Sequence, residues 1–245
     1  MKAVVLCAGY GKRLKGLTRK LPKPMLPLEE YPLLYYTVNY LKKYGIVDIF
    51  INLHYKPEII KDYFGNGSAF GVKLKYSYEE NVLGTAGALL KMKSWLKNED
   101  DFLVLYGDIL TNQNLKTLID FHRKKKAFAT LLVHQRKSSN SIIELGPQRR
   151  ITKFIERPTK KQIIQFIRGG SEYHWVNSGI QVLSRQILSF IPKNKEYDLP
   201  RDLYTSLISE ERFYGIPLSG FRVAMDSPQR YKEAQKAVRL GIFKI

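Results

Sequence analysis

Cysteine occurs once in these 245 residues, tryptophan twice and histidine four times, and acidic side chains number 22 against 41 basic ones. A lone Cys7 excludes a disulfide framework and a cysteine-rich zinc site, and it fits a reducing, cytoplasmic setting. His54, His122, His134 and His174 stand at no metal-binding spacing. No apolar run approaches the roughly 20 residues of a membrane-spanning helix, so membrane insertion is not expected. Met1 to Ala8 begins like a signal peptide, but glycines and cations follow at once with no cleavage-type end, so it reads as a first β-strand. Internal repeats, low-complexity tracts and shifts in composition are missing too. A single domain over 1–245 is therefore expected.

What is present can close a core. Hydrophobic residues make up 44% of the chain, and a domain of this size buries roughly 70–75% of its unfolded surface. Short β-branched and aliphatic runs alternate with helical periodicities, the pattern of a Rossmann-like α/β fold with a mixed, mostly parallel sheet flanked by helices. Strands are expected near Ala3–Cys7, Asp48–Leu53, Val72–Ser77, Phe102–Tyr106 and Ala129–His134. Then come a hairpin from Ile142–Leu145 to Ile151–Ile155, a strand over Val176–Leu183, and a last one over Phe221–Met225 that completes the sheet. Leu33, Leu34, Val38 and Leu41 mark one helix, and Leu115, Leu118, Ile119 and Phe121 another.

The charge of +19 has two readings. One is a lysine-rich solvated surface; the other is steering of anionic partners such as nucleotides or phosphosugars. No zinc finger, basic zipper or RNA-recognition pair is present, so nucleic acid is not the expected partner. Nucleic-acid binding would in any case weaken by orders of magnitude as salt rises, more than a site closed around a metal and a triphosphate.

The most informative segment runs from Leu6-Cys7-Ala8-Gly9-Tyr10-Gly11-Lys12-Arg13-Leu14 to Leu21-Pro22-Lys23-Pro24-Met25-Leu26-Pro27. Glycines at a strand end let backbone amides approach a phosphate, and nearby cations neutralise it. The Gly-Lys-Thr/Ser ending of a P-loop is missing, and only two glycines of the dinucleotide fingerprint are present. Prolines on both sides hold Lys23 on an extended backbone. A tight turn without a ligand is the alternative for Gly9-Tyr10-Gly11 taken alone.

With Glu79-Glu80-Asn81-Val82-Leu83-Gly84-Thr85-Ala86-Gly87-Ala88, Tyr106-Gly107-Asp108, Glu156-Arg157-Pro158 and Val176-Asn177-Ser178-Gly179 following in order, the chain resembles the sugar-1-phosphate nucleotidyltransferases. The likeness is to mannose- and heptose-1-phosphate guanylyltransferases in particular. It implies transfer of a nucleotidyl group from a nucleoside triphosphate to a sugar 1-phosphate, with release of pyrophosphate and Mg2+ as cofactor. GTP is the triphosphate of first choice, with thymidylyl, uridylyl and cytidylyl transfer as alternatives. The rival of another class is a non-catalytic nucleotide-sugar-binding or nucleic-acid-associated protein.

Residue by residue, the resemblance implies catalytic roles for Arg13, Lys23 and Asp108, and nucleotide contacts from Leu6, Ala8, Gly9, Gly11, Glu79, Leu83, Gly84 and Thr85. It implies sugar-phosphate contacts from Ser141, Glu156, Arg157 and Asn177, and metal ligation by Asp108 and Asp226. The chain departs from the family pattern in four places: Gly16 for a proline, Ser141 for a glycine, Arg157 for a lysine, and Ala224 where most members place the second metal aspartate. Met225-Asp226-Ser227 matches a minority pattern of cytidylyltransferases, in which Asp226 is the ligand. For Asp108 the plain alternative is an N-cap of the helix near Asn114; for Ala86 and Ala88 it is close helix packing. Tyr35, Tyr36 and Tyr40 leave room for a homo-oligomer interface or a place in the core.

Overall fold

A computed structural model describes residues 1–137, 141–168 and 173–243. In chain order the elements are β1 (Ala3–Leu6), β2 (Pro27–Leu28), β3 (Tyr31–Pro32), α1 (Leu33–Lys43), β4 (Asp48–Leu53), α2 (Pro57–Phe64), β5 (Lys73–Tyr78) and α3 (Gly84–Lys91). Then follow β6 (Asp101–Tyr106), β7 (Ile109–Thr111), α4 (Leu115–Lys124), β8 (Ala129–Arg136), β9 (Ser141–Leu145), β10 (Ile151–Glu156) and α5 (Lys160–Arg168). The last are β11 (His174–Ser184), α6 (Thr205–Leu207), β12 (Phe213–Pro217), β13 (Arg222–Ala224) and α7 (Pro228–Arg239).

β1 lies at the middle of the main sheet, parallel to β4 on one side and β6 on the other. The order across is β10-β9-β11-β6-β1-β4-β5, with β8 on β11 and β12 on β8. β11 runs antiparallel to β6 and ends the parallel half. Because β1 is interior, its residues alternate between two cores: Ala3 and Val5 pack with α1 and β4 side chains, and Val4 packs with Phe102, Val104 and Leu89. Each fully buried aliphatic side chain of this kind contributes roughly 1.5–3 kcal/mol. Leu33, Leu34, Val38 and Leu41 are all buried on α1, and Gly45, at φ +71°, ends the helix with its N–H on the Lys42 carbonyl at 2.8 Å.

The structure corrects one expectation and adds a strand. Phe221–Met225 does not complete the main sheet: Arg222–Ala224 pairs antiparallel with β7 as a separate two-stranded ribbon. A further strand, Phe213–Pro217, has no counterpart among the expected ones and pairs parallel with β8. Tyr36 is a core residue, buried and donating to the Leu28 carbonyl at 2.8 Å, whereas Tyr35 and Tyr40 are half-buried.

A third apolar cluster positions the chemistry. Leu14, Leu26, Leu28, Leu33, Leu110, Val223, Met225 and Tyr231 join the glycine-rich segment, the Pro22–Pro27 stretch, the β7/β13 ribbon and α7 in one knot. Tyr231 reinforces it by donating to the Pro27 carbonyl at 2.7 Å.

Candidate functional site

The carboxyl ends of the parallel strands open on a cavity of about 310 Å³, the place where open α/β sheets bind ligands. Leu6, Ala8, Gly9, Lys23, Glu79, Gly84, Thr85, Asp108 and Arg157, all singled out from the sequence, line it. A larger cleft of about 820 Å³ between α1 and β7 holds none of the residues expected in the site.

Lys23 does not lie on extended backbone as expected: Pro22 is extended, and Lys23 begins a single helical turn, Lys23–Met25, in which Pro24 and Met25 are buried. Its Nζ sits 2.9 Å from Asp108 Oδ2. Asp108 follows β6 and Gly107, where a Cβ would stand 2.4 Å from Cys7 Sγ and 2.9 Å from the Leu6 carbonyl oxygen; only glycine lets the two strand ends close on each other. Burial would raise the Asp108 carboxyl, but Lys23, Arg222 and Arg13 outweigh it and hold it below its ordinary value. Helix α4 is capped by Asn114, whose Oδ1 accepts from the Lys116 and Thr117 amides, so Asp108 is free of that duty.

Asp226 does not line the cavity but is tied to Asp108 through the ribbon. The β13–β7 register sets Ala224 opposite Ile109, and the Met225 amide donates to the Asp108 carbonyl at 2.8 Å. Ala224 itself packs into the core. The Asp226 carboxylate faces Arg13 Nη1 and Arg230 Nε, each at 3.5 Å. Two carboxylates on adjoining backbone, with phosphate oxygens from a ligand, form a donor set that suits Mg2+, which takes one or two carboxylates and keeps waters.

At the other side of the cavity Glu79 is buried with both oxygens engaged: Oε1 accepts from Asn52 Nδ2 at 2.8 Å and Oε2 from the Leu83 amide at 3.0 Å. Asn52 Oδ1 in turn accepts from the Cys7 amide at 2.7 Å, so one hydrogen-bonded chain joins the ends of β1, β4 and β5 to the turn before α3. Gly84-Thr85-Ala86-Gly87-Ala88 is the first part of α3 itself rather than a loop before it. Its small residues admit the Tyr197 backbone, which accepts from the Ala86 and Gly87 amides. Thr85 donates to Asp198 Oδ2 at 2.8 Å and accepts from the Leu199 amide. Gly11, at φ +67°, opens the turn that carries Arg13, which projects into solvent.

Of the residues expected at the sugar phosphate, Arg157 lines the cavity, whereas Glu156, Ser141 and Asn177 do not line it and stand together on β9, β10 and β11. Glu156 pairs with Ser141 across β10 and β9, and Ser141 Oγ accepts from the Asn177 amide at 3.5 Å. Burial and Asp198 push the Glu156 carboxyl up to about 7, against Arg157 and Arg201. Arg157, exposed at φ +53° before Pro158, holds a backbone conformation that costs a non-glycine residue energy, the kind of strain that clusters at working sites. Asn177 Oδ1 accepts from the Gly179 amide, stabilising an irregularity where β11 skips pairs with β8. Sequence reasoning missed Asn52, Asp198 and Arg201, which also line the cavity; Asn52 ends a parallel strand, which was a usable signal.

The nucleotidyl transferase family model matches residues 2–219. The chain is 32% identical over 240 residues to a UTP–glucose-1-phosphate uridylyltransferase of Synechocystis sp., covering 92% of this chain and 58% of that protein. It is 30% identical over 244 residues to a D-glycero-alpha-D-manno-heptose 1-phosphate guanylyltransferase of Aneurinibacillus thermoaerophilus, covering 98% and 99%. A mannose-1-phosphate guanylyltransferase of Mycobacterium tuberculosis is 29% identical, with 98% of this chain and 65% of that protein covered. The chain thus spans less than two thirds of two of these relatives and nearly all of the third. In fold it is similar to HddC from Yersinia pseudotuberculosis, with a TM-score of 0.80 at 21% identity over 97% of this chain and 99% of that one. It is likewise similar to a UDP-glucose pyrophosphorylase from Acinetobacter baumanii, with a TM-score of 0.80 at 21% identity over 98% and 93%. By the match of the family model over most of its length and by these relatives, the chain belongs to the sugar-1-phosphate nucleotidyltransferase family.

Proposed function

We propose that this protein joins a nucleoside triphosphate to a sugar 1-phosphate, forming a nucleotide-sugar and pyrophosphate, with guanylyl transfer to mannose or heptose 1-phosphate as the leading pairing. The observation that carries it is Lys23, fixed between prolines and held on Asp108 in the wall of the cavity at the strand ends. The likeness to a heptose 1-phosphate guanylyltransferase and a mannose-1-phosphate guanylyltransferase favours this pairing, and the 32% identical uridylyltransferase makes uridylyl transfer its first rival.

An oxygen of the sugar phosphate attacks the α-phosphorus in line, its lone pair forming the new P–O bond as the bond to pyrophosphate breaks. The attacking oxygen is already anionic at neutral pH, so no general base is needed, and catalysis consists of positioning and charge neutralisation. Leu6, Ala8, Gly9 and Gly11 supply the loop backbone against the triphosphate, with Leu83, Gly84 and Thr85 bordering the nucleoside. Exposed Arg13 folds onto the leaving pyrophosphate, and Lys23 bridges the α-phosphate and the attacking group. Glu156, Arg157, Asn177 and Ser141 take the sugar phosphate. Asp108 and Asp226 would hold Mg2+, which supplies further neutralisation of the phosphates when bound.

The choice of substrates is tested by pyrophosphate release from four nucleoside triphosphates against hexose and heptose 1-phosphates. GTP with mannose or heptose 1-phosphate is expected to give the highest kcat/KM; a higher value with UTP, dTTP or CTP would reassign the base.

A further inference from the structure

Arg222 helps hold the Asp108 carboxyl down but has no assigned role in the proposed reaction. It opens β13, four residues before Asp226, and its half-buried guanidinium sends Nε–H and Nη2–H to one acceptor, the Ser178 carbonyl, at 3.1 and 2.8 Å. Ser178 is fully buried in the irregular stretch of β11 that carries Asn177. Its hydroxyl meets His134 Nδ1 at 3.0 Å, and the neighbouring Gly179 amide closes on Asn177 Oδ1. β13 pairs with β7, which follows Asp108 directly, and the Met225 amide holds the Asp108 carbonyl at 2.8 Å, so Arg222 shares one ribbon with Asp108 and Asp226, whose charges act on its guanidinium.

We infer that Arg222 is a positioning residue with two opposed effects: its planar fork fixes the β11 irregularity that presents Asn177 to the sugar phosphate, while its fixed positive charge weakens the hold of the Asp108–Asp226 pair on a divalent cation. The inference rests on the reading of those aspartates as the metal carboxylates. A guanidinium stays ionised at any working pH and can place two N–H groups on one oxygen, whereas an ammonium offers a point charge without the fork. Fork and charge are therefore separable by substitution.

The test compares the full chain with its Arg222→Met and Arg222→Lys variants. Mn2+ binding to the substrate-free protein is read by electron paramagnetic resonance at fixed ionic strength, and mannose 1-phosphate binding by calorimetry. Arg222→Met loses charge and fork, so Mn2+ should bind on the order of tenfold more tightly while mannose 1-phosphate binds at least about tenfold more weakly. Arg222→Lys keeps the charge, so its Mn2+ affinity stays within about twofold of wild type while the sugar phosphate is still weakened. A merely structural role would weaken both ligands together. Mn2+ binding that is no tighter in the Met variant, or equally tightened in the Lys variant, overturns the inference. If the Met variant does not fold, Arg222→Lys decides alone: unchanged mannose 1-phosphate affinity overturns the fork. Wild-type protein that binds no Mn2+ overturns the metal reading beneath it. If mannose 1-phosphate does not bind wild type, heptose 1-phosphate takes its place in the same comparison; failure of both overturns the sugar reading and with it the fork's role, and the Mn2+ series judges the charge.

Discussion

Lys23 and Asp108 form the most constrained ionic contact of the site, at 2.9 Å with both side chains largely shielded. Removing one such cation from a charge-stabilising constellation costs on the order of 3–4 kcal/mol of barrier. Lys23→Ala is therefore expected to lower kcat by about two to three orders of magnitude, read by steady-state pyrophosphate release. Near wild-type turnover would remove Lys23 from the mechanism. The loss should be largest at acidic pH: without Lys23 the Asp108 carboxyl loses part of what depresses it, so it takes up a proton at a higher pH than in wild type. Glu156 behaves in the opposite sense. Its carboxyl is pushed up to about 7, so between its ordinary value of 4.5 and that point the folded protein holds a proton that the unfolded chain has released. Its contribution to stability thus falls as pH rises through that window. The kcat/KM for sugar 1-phosphate should carry an inflection near pH 7 that Glu156→Gln abolishes; an unchanged profile in the variant would place the titration elsewhere.

At the scale of elements, the junction of α3 with the Tyr197–Leu199 segment holds one wall of the cavity. Gly84 adopts φ +76°, and a Cβ there would lie 2.4 Å from the Tyr197 carbonyl oxygen. Gly84→Ala should lower stability by roughly 2–4 kcal/mol, since it adds backbone strain to a steric clash with main chain that cannot swing aside. Denaturant unfolding checks this, and an unperturbed midpoint would mean that the two segments part easily. Legibility followed the same physics. Strand β4 appeared at Asp48–Leu53 as read, because an interior parallel strand is a short unbroken apolar run bounded by polar turns. α1 was legible from its periodic leucines. β12 was hidden by Gly215 and Pro217, and β13 read as part of the main sheet because three residues cannot announce which neighbour they pair with. In the site, the residues carried by contiguous motifs, from Gly9 to Lys23 and from Glu79 to Thr85, were readable. Asp198, Arg201 and Arg222 were not, since only the chain's return past α3 and the β7 ribbon brings them to the cavity or the carboxylates.

For the whole molecule, two groups of strand ends flank one charged centre. The β1, β4 and β5 ends are tied through Asn52 and Glu79, and the β9 and β10 strands pair beside β11; in the proposed function the first group takes the nucleotide and the second the sugar phosphate. Lys23, Asp108 and Asp226 stand between them, held by the apolar knot of Leu26, Leu28, Val223, Met225 and Tyr231. Among the described residues no helix is long and apolar enough to cross a membrane. A net charge of +19 is far more than the site cations use and leaves most lysines to the solvated surface. In the proposed function both substrates must be present for the triphosphate to be cleaved. The most direct measurement is pyrophosphate release with Mg2+ from wild type and Asp108→Asn, with triphosphate alone and with triphosphate plus sugar 1-phosphate. Release is expected only from wild type and only with both substrates. Release without sugar phosphate, or at an equal rate from Asp108→Asn, would contradict it.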